Sequence, residues 1–176
     1  MSRALVVIDV QQGMFTVRPP LHRGDEIVDR IAGLLRRARA AAMPVFHVQH
    51  DGGPGDLLAK GTPGFAHHPA VAPQPGEPVI EKRHSSAFHD TGFHAQLQAR
   101  GIDHLIVAGL QTEMCVDSAC RHAVALGYRV TLVADAHSTY DSAVLPAQSI
   151  IDHHNQTLGS GFVALRDTAD VSFSEP

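Results

Sequence analysis

The sequence predicts a doubly wound α/β fold: a mostly parallel six-stranded sheet with helices on both faces, three layers in all (αβα). Three observations carry that prediction. Short apolar runs alternate with longer amphipathic segments along the chain. The apolar runs are nearly continuous, as strands buried on both faces require. The segments between them carry apolar residues at helical spacing and stop at Gly or Pro. In a Rossmann-like sheet of this kind ligands bind beyond the carboxyl ends of the strands, so the strand ends are where chemistry is to be sought.

The elements follow in order. "ALVVIDV" (residues 4–10) is β-branched in its middle and reads as the first strand. Residues 25–43 form an amphipathic helix, with Ile27, Ile31, Leu34, Leu35 and Ala38 on one face and Asp25 as N-cap. Pro44 stops it, and "VFHVQH" (45–50) is the second strand. Residues 51–77, rich in Gly, Pro and His, read as a long irregular excursion. "PVIEK" (78–82) is a short strand, residues 90–101 a helix, and "HLIVAGL" (104–110) a buried strand. "TEMCVDSACRHAVALG" (112–127) reads as one helix with a Thr112 N-cap and a terminal Gly. "RVTLVAD" (129–135) is a strand. Residues 143–159 are helical with Pro146 in the first turn, and "GFVAL" (161–165) is the last strand.

Composition narrows the class. The 176 residues suit one domain, taken as 1–176, and the formal net charge of −4 offers no basic face for nucleic acid. The opening apolar run is too short for a signal segment or a membrane span, so a cytoplasmic protein is expected. No G-x-G-x-x-G follows the first strand and no G-K-[ST] loop occurs, so neither a dinucleotide nor a nucleoside triphosphate is indicated. The two cysteines, Cys115 and Cys120, cannot bridge each other. Five residues of helical rise would hold their Cα atoms roughly 8 Å apart and on different faces.

Three strand ends carry reactive groups: Asp9, Lys82 and, a few residues past the fourth strand, Cys115. A cysteine in the first turn of a helix sees free N–H groups and the positive end of the dipole, which favour a thiolate. An ammonium such as Lys82 would lower its pKa further. A carboxylate such as Asp9 can take the thiol proton and return it to a leaving group. Backbone N–H groups at Cys115 can stabilise an oxyanion. Glu113 works against this arrangement if it faces the thiol. Each residue also has a plainer role: a buried structural cysteine, a turn-forming Asp, a solvated Lys.

The stretches "ALVVIDVQQGMF", "VIEKRHSSAFHDTGF" and "LIVAGLQTEMCVDSACRHAVALGYRVTLVADAHST" strongly resemble the isochorismatase-like cysteine hydrolases, in order and with the expected spacing. The resemblance implies the doubly wound sheet and a Cys–Asp–Lys triad. Cys115 would be the nucleophile, Asp9 the general acid/base and Lys82 the cation that helps ionise the thiol. It also implies a cis peptide between Leu110 and Gln111, aiming the Gln111 N–H at an oxyanion beside that of Cys115. A homodimer or homotetramer is implied as well. Cys120 would be a small core residue.

Two features select among the branches of that family. Members that split isochorismate lack the cysteine, so its presence favours attack on a carbonyl-type carbon and a thioester-type intermediate. The nicotinamidase branch binds a metal through an Asp-Trp-His stretch; here the segment reads "QHDGG", with His50 and Gly52 near the ligand positions. No cofactor is therefore expected, and a metal would need a different site drawing on His50, His67 and His68. Phe15, His50, Phe88 and Met114 are the candidate substrate-pocket residues, with Phe46 either pocket wall or core. The paired His153 and His154 have no assigned role beyond an interface or a cap. The leading expectation is a cysteine amidohydrolase acting on a small molecule. The alternatives are a non-catalytic ligand-binding member of the fold and hydrolysis of an ester or vinyl ether. A magnesium-dependent phosphatase is set aside because Gln11 stands where its second carboxylate would be.

Overall fold

The computed structural model describes residues 2–173. Its six strands are β1 (Ser2–Ile8), β2 (Val45–His50), β3 (Val79–Lys82), β4 (Ile102–Leu110), β5 (Arg129–Ser138) and β6 (Ala164–Arg166). They form one sheet in the order β3-β2-β1-β4-β5-β6, every neighbouring pair parallel. The helices are α1 (Gly24–Ala40), α2 (Phe93–Ala99), α3 (Asp117–Ala125) and α4 (Ala147–Gly159).

The two faces follow from the chain path. Parallel crossovers are right-handed, so the direction of travel across the sheet decides the face each connection covers. From β1 through β2 to β3 the chain moves one way, and α1 and Val71 of the excursion pack on one face with Leu5, Val7, Ile106 and Ala108. From β3 to β6 it moves back, and Phe93, Leu97, Ala119, Ala123 and Leu158 pack on the other face with Val6, Ile8, Leu105 and Val107. Alternate residues of β1 and β4 thus feed opposite cores, which is why these strands read as continuous apolar runs. The order reverses between β1 and β4, and the crevice at that switch point lies directly beyond Ile8 and Leu110.

Several boundaries differ from the expectation, each for a local reason. Asp25 is not the cap of α1: Arg23 holds that position in the left-handed region (φ 51°), and Asp25 sits in the first turn, where its charge favours the dipole without capping. α1 ends at Ala40, short of Met43. α2 is shorter than residues 90–101, because Asp90 is left-handed (φ 52°) and the helix starts only at Phe93. Residues 112–127 are not one regular helix. Thr112–Val116 form a wide turn in which the Val116 N–H reaches back five residues to the Gln111 carbonyl (3.1 Å), and α3 follows. Gln111, not Thr112, is the cap of that turn; the Thr112 hydroxyl bonds elsewhere. β5 runs three residues beyond Asp135, to Ser138, and Pro146 stands just before α4 rather than inside it. Among the described residues no helix is long and apolar enough to cross a membrane.

Candidate active site

The three reactive groups meet at the switch point. β1 ends at Ile8 because Asp9 turns into the left-handed region (φ 51°), and the Asp9 N–H still bonds the Val48 carbonyl at 3.0 Å. Lys82, the last residue of β3, comes in past the end of β2, and Cys115 sits on the wide turn that follows β4. Lys82 Nζ donates to Asp9 Oδ2 at 2.7 Å and to Cys115 Sγ at 3.2 Å, and lies 3.3 Å from His50 Nδ1. Three donors meet three partners, so the ammonium is satisfied although Lys82 is only 3% exposed and Asp9 2%. With Nδ1 facing an ammonium, His50 accepts there and carries its proton on Nε2. Burial and then the Lys82 charge lower its pKa.

The ionisation of the thiol runs against the expectation. Burial pushes Cys115 up to about 12, and the Asp9 carboxylate pushes it the same way. Lys82 pulls it down, but its charge is already matched by Asp9, so the cation does not win. The resting group is a thiol. The second Asp9 oxygen, Oδ1, is buried, has no hydrogen-bond donor among the described residues and is the open acceptor of the site. Glu113 does not oppose the thiol: its Oε1 accepts from the Thr139 hydroxyl at 2.7 Å, and it is absent from the charges that act on Cys115. Cys120 is fully buried in the core, its thiol also held at about 12 by burial.

The other candidates fall in different places. The peptide between Leu110 and Gln111 is cis. Phe88 is buried among Phe93, His122 and Tyr128. Phe15 is half-buried against the His68 ring at 4.9 Å. Met114, beside the thiol, is 48% exposed. Phe46 is core, 5.4 Å from Phe93. His154 bonds Asp117 and stacks edge-on against His153. Gln11, which the sequence uses only to set aside a phosphatase and to which it gives no role at the site, is fully buried. It clamps the ends of β1 and β2 by accepting from the His50 N–H and donating to the His50 and Phe65 carbonyls, all at 2.9 Å. Only its position two residues after Asp9 points to such a role.

A cleft of about 360 Å³ opens beside Lys82, walled by the Arg83–Asp51 and Lys60–Glu81 ion pairs and by His84, His89 and Asp90. Among the described residues, the group able to hold a metal ion is this exposed His84–His89–Asp90 set, its ligand atoms within 4.8 Å of one another. No clear cofactor site accompanies it. His50, His67 and His68 are not brought together: His50 faces Lys82, His67 packs against His47 (5.5 Å) and His68 against Phe15. Nor do His50 and Gly52 fit the metal of the nicotinamidase branch. One nitrogen of His50 faces a buried cation, and Gly52 has no donor.

Fold and site together define a three-layer α/β protein with a Cys–Lys–Asp triad at its switch point, Asp9 and Lys82 buried and Cys115 half-buried, the arrangement of a cysteine hydrolase. The chain belongs to the isochorismatase family: the model of the isochorismatase domain matches residues 3–153. An isochorismatase of known structure from Pseudomonas putida KT2440 superposes with a TM-score of 0.93 at 35% identity, covering 97% of this chain and 90% of that one. A streptothricin hydrolase of Streptomyces noursei is 43% identical over 144 residues, covering 82% of this chain and 52% of that protein. A maleamate amidohydrolase of Pseudomonas putida is 34% identical over 156 residues, covering 77% and 73%. The chain spans little more than half the length of the streptothricin hydrolases it matches.

Proposed function

We propose that the protein cleaves an amide-type C–N bond of a small molecule through a thioester on Cys115. The observation that carries this reading is the position of Lys82 Nζ, 2.7 Å from Asp9 Oδ2 and 3.2 Å from Cys115 Sγ, with Asp9 Oδ1 left open. In the first half-reaction Asp9 takes the thiol proton as sulfur attacks the carbonyl carbon. The oxyanion is held by the N–H groups of Gln111 and Cys115. Its collapse expels the nitrogen, which leaves with the proton returned by Asp9. In the second, Asp9 draws a proton from water, water adds to the thioester, and the acid departs with Cys115 restored as a thiol. A thiol pKa near 12 makes proton removal part of the attack rather than a prior step.

The activity of one relative, a maleamate amidohydrolase, supports a C–N substrate over an ester or vinyl ether. Phe15, His50, Phe88 and Met114 remain our substrate-side residues, His50 foremost because it touches Lys82. The working protein is taken as one cytoplasmic domain in a homodimer or homotetramer. The test is an amide panel that includes maleamate and streptothricin. It is followed by acid quench and peptide mass spectrometry of the enzyme during turnover. An acyl adduct on Cys115, absent from an inactive Cys115→Ala variant, is the expected result; full turnover by Cys115→Ala would sink the proposal.

A further inference from the structure

We propose that Thr112, His137 and Asn155 form a positioning relay that fixes the wide turn carrying Cys115. The inference rests on the reading of Cys115 as nucleophile and concerns residues that reading does not use. Asn155 Nδ2, on α4, donates to the Ala134 carbonyl at 3.0 Å. Its Oδ1 lies 2.9 Å from His137 Nε2, and His137 Nδ1 lies 2.8 Å from the Thr112 hydroxyl. Thr112 and His137 are each 1% exposed.

The partners of Asn155 and His137 set the direction of each hydrogen bond in the relay. Asn155 spends its amide N–H on Ala134, so Oδ1 faces the ring and can only accept. His137 Nε2 therefore carries a proton. Burial holds His137 at about 4, so the ring is neutral and Nδ1 is bare. Thr112 Oγ1 must donate to it. The first residue of the turn is thereby tied through β5 to α4. The tie takes the hydroxyl that would otherwise cap the turn, and it accompanies the irregular i-to-i+5 geometry seen at Val116. Cys115 lies three residues further on, and its Sγ depends on that turn for its 3.2 Å approach to Lys82. A shift of order 1 Å at a reacting atom costs roughly 100-fold in rate. Thr112, His137 and Asn155 act on Cys115 through the turn.

The test compares Thr112→Val, which keeps the shape and loses the hydroxyl, with Thr112→Ser, which restores it. The readouts are kcat and KM on the fastest amide of the panel, and the rate of Cys115 alkylation by iodoacetamide in the folded enzyme. Thr112→Val is expected to lower kcat by about 10- to 100-fold with KM little changed. It should also slow alkylation severalfold as the thiol loses Lys82, with Thr112→Ser close to wild type in both. Asn155→Ala, at a half-buried site, serves if the valine variant does not fold. It frees the ring to carry its proton on either nitrogen and is expected to give a smaller fall in kcat. Folded variants with wild-type kcat and alkylation but a lower Tm would overturn the relay and leave only a packing role. Turnover by Cys115→Ala would instead overturn the functional reading on which the relay depends.

Discussion

Gly109 of β4 lies so close to Ile8 of β1 that a Cβ at position 109 would stand 2.1 Å from the Ile8 carbonyl oxygen. Its φ of 131° is also one that side chains rarely adopt. The contact joins the two strands one residue before Asp9 and two before Gln111, so the absence of a side chain lets both halves of the site come together.

Gly109→Ala is therefore expected to destabilise the fold by about 1–3 kcal/mol or more, through overpacking and backbone strain together. Thermal unfolding would show it as a Tm lower by several degrees. Because the carbonyl pushed aside precedes Asp9, activity should fall in the folded fraction as well. Wild-type stability in the alanine variant would mean that the strands separate freely at this point.

Asp9→Asn should have opposite effects on thiol reactivity and on turnover. Asp9 holds the thiol pKa up and Lys82 pulls it down. Removing the carboxylate charge leaves the ammonium unopposed, 3.2 Å from sulfur. The thiol pKa falls, and each unit of fall raises the thiolate fraction about tenfold at a given pH below it. Alkylation of Cys115 at pH 8 should accelerate about tenfold or more, while hydrolysis is lost with its proton acceptor. Peptide mapping separates Cys115 from the inert Cys120. Slower alkylation in Asp9→Asn would show that Asp9 holds the ammonium in place rather than opposing the thiolate.

Much of this site was readable because its chemistry sits at strand ends, and the strands announce themselves as continuous apolar runs. That logic alone points to Asp9, Lys82 and Cys115. The sign of the thiol shift was not readable, because burial and the Lys82–Asp9 pairing are tertiary facts that the first turn of a helix does not encode. The relay was hidden for a similar reason: Thr112, His137 and Asn155 are separated by 25 and 18 residues. Thr112 reads as a cap in the sequence because a local hydroxyl–amide bond is the usual outcome, and here a buried imidazole outcompetes it. The cap position of Arg23 is not legible in the sequence, because nothing in its side chain signals a left-handed cap.

Stability should fall as the solution is acidified from near neutrality, before carboxylates titrate. Burial lowers the pKa of His47, and lowers His67 and His137 to about 4, from an ordinary 6.5. Between those values the unfolded chain binds protons that the folded chain refuses. The stability these rings contribute is therefore complete above about pH 6.5 and declines until about pH 4. Tm measured at pH 7.5, 6 and 5 should fall by several degrees in all, and His137→Gln or His67→Gln should flatten the slope. A Tm independent of pH over this range would contradict neutral burial of these histidines.

The second acid transition belongs to Glu77, which joins the excursion to α1 and β2. Its carboxylate accepts from Arg39 Nε and Nη2, both at 2.8 Å, and lies 3.0 Å from His47 Nε2. Burial alone would raise its pKa. The hydrogen bonds from Arg39, the Gln74 N–H and His47, with the Arg39 charge, outweigh that and hold it at about 2. A depressed carboxylate contributes stability that is complete above its unfolded value near 4.5 and is lost as pH falls toward 2. Glu77→Gln should consequently lower Tm at pH 6, and the gap to wild type should narrow by pH 3. A gap that stays constant down to pH 3 would assign the loss to packing of the excursion rather than to the charge that anchors it.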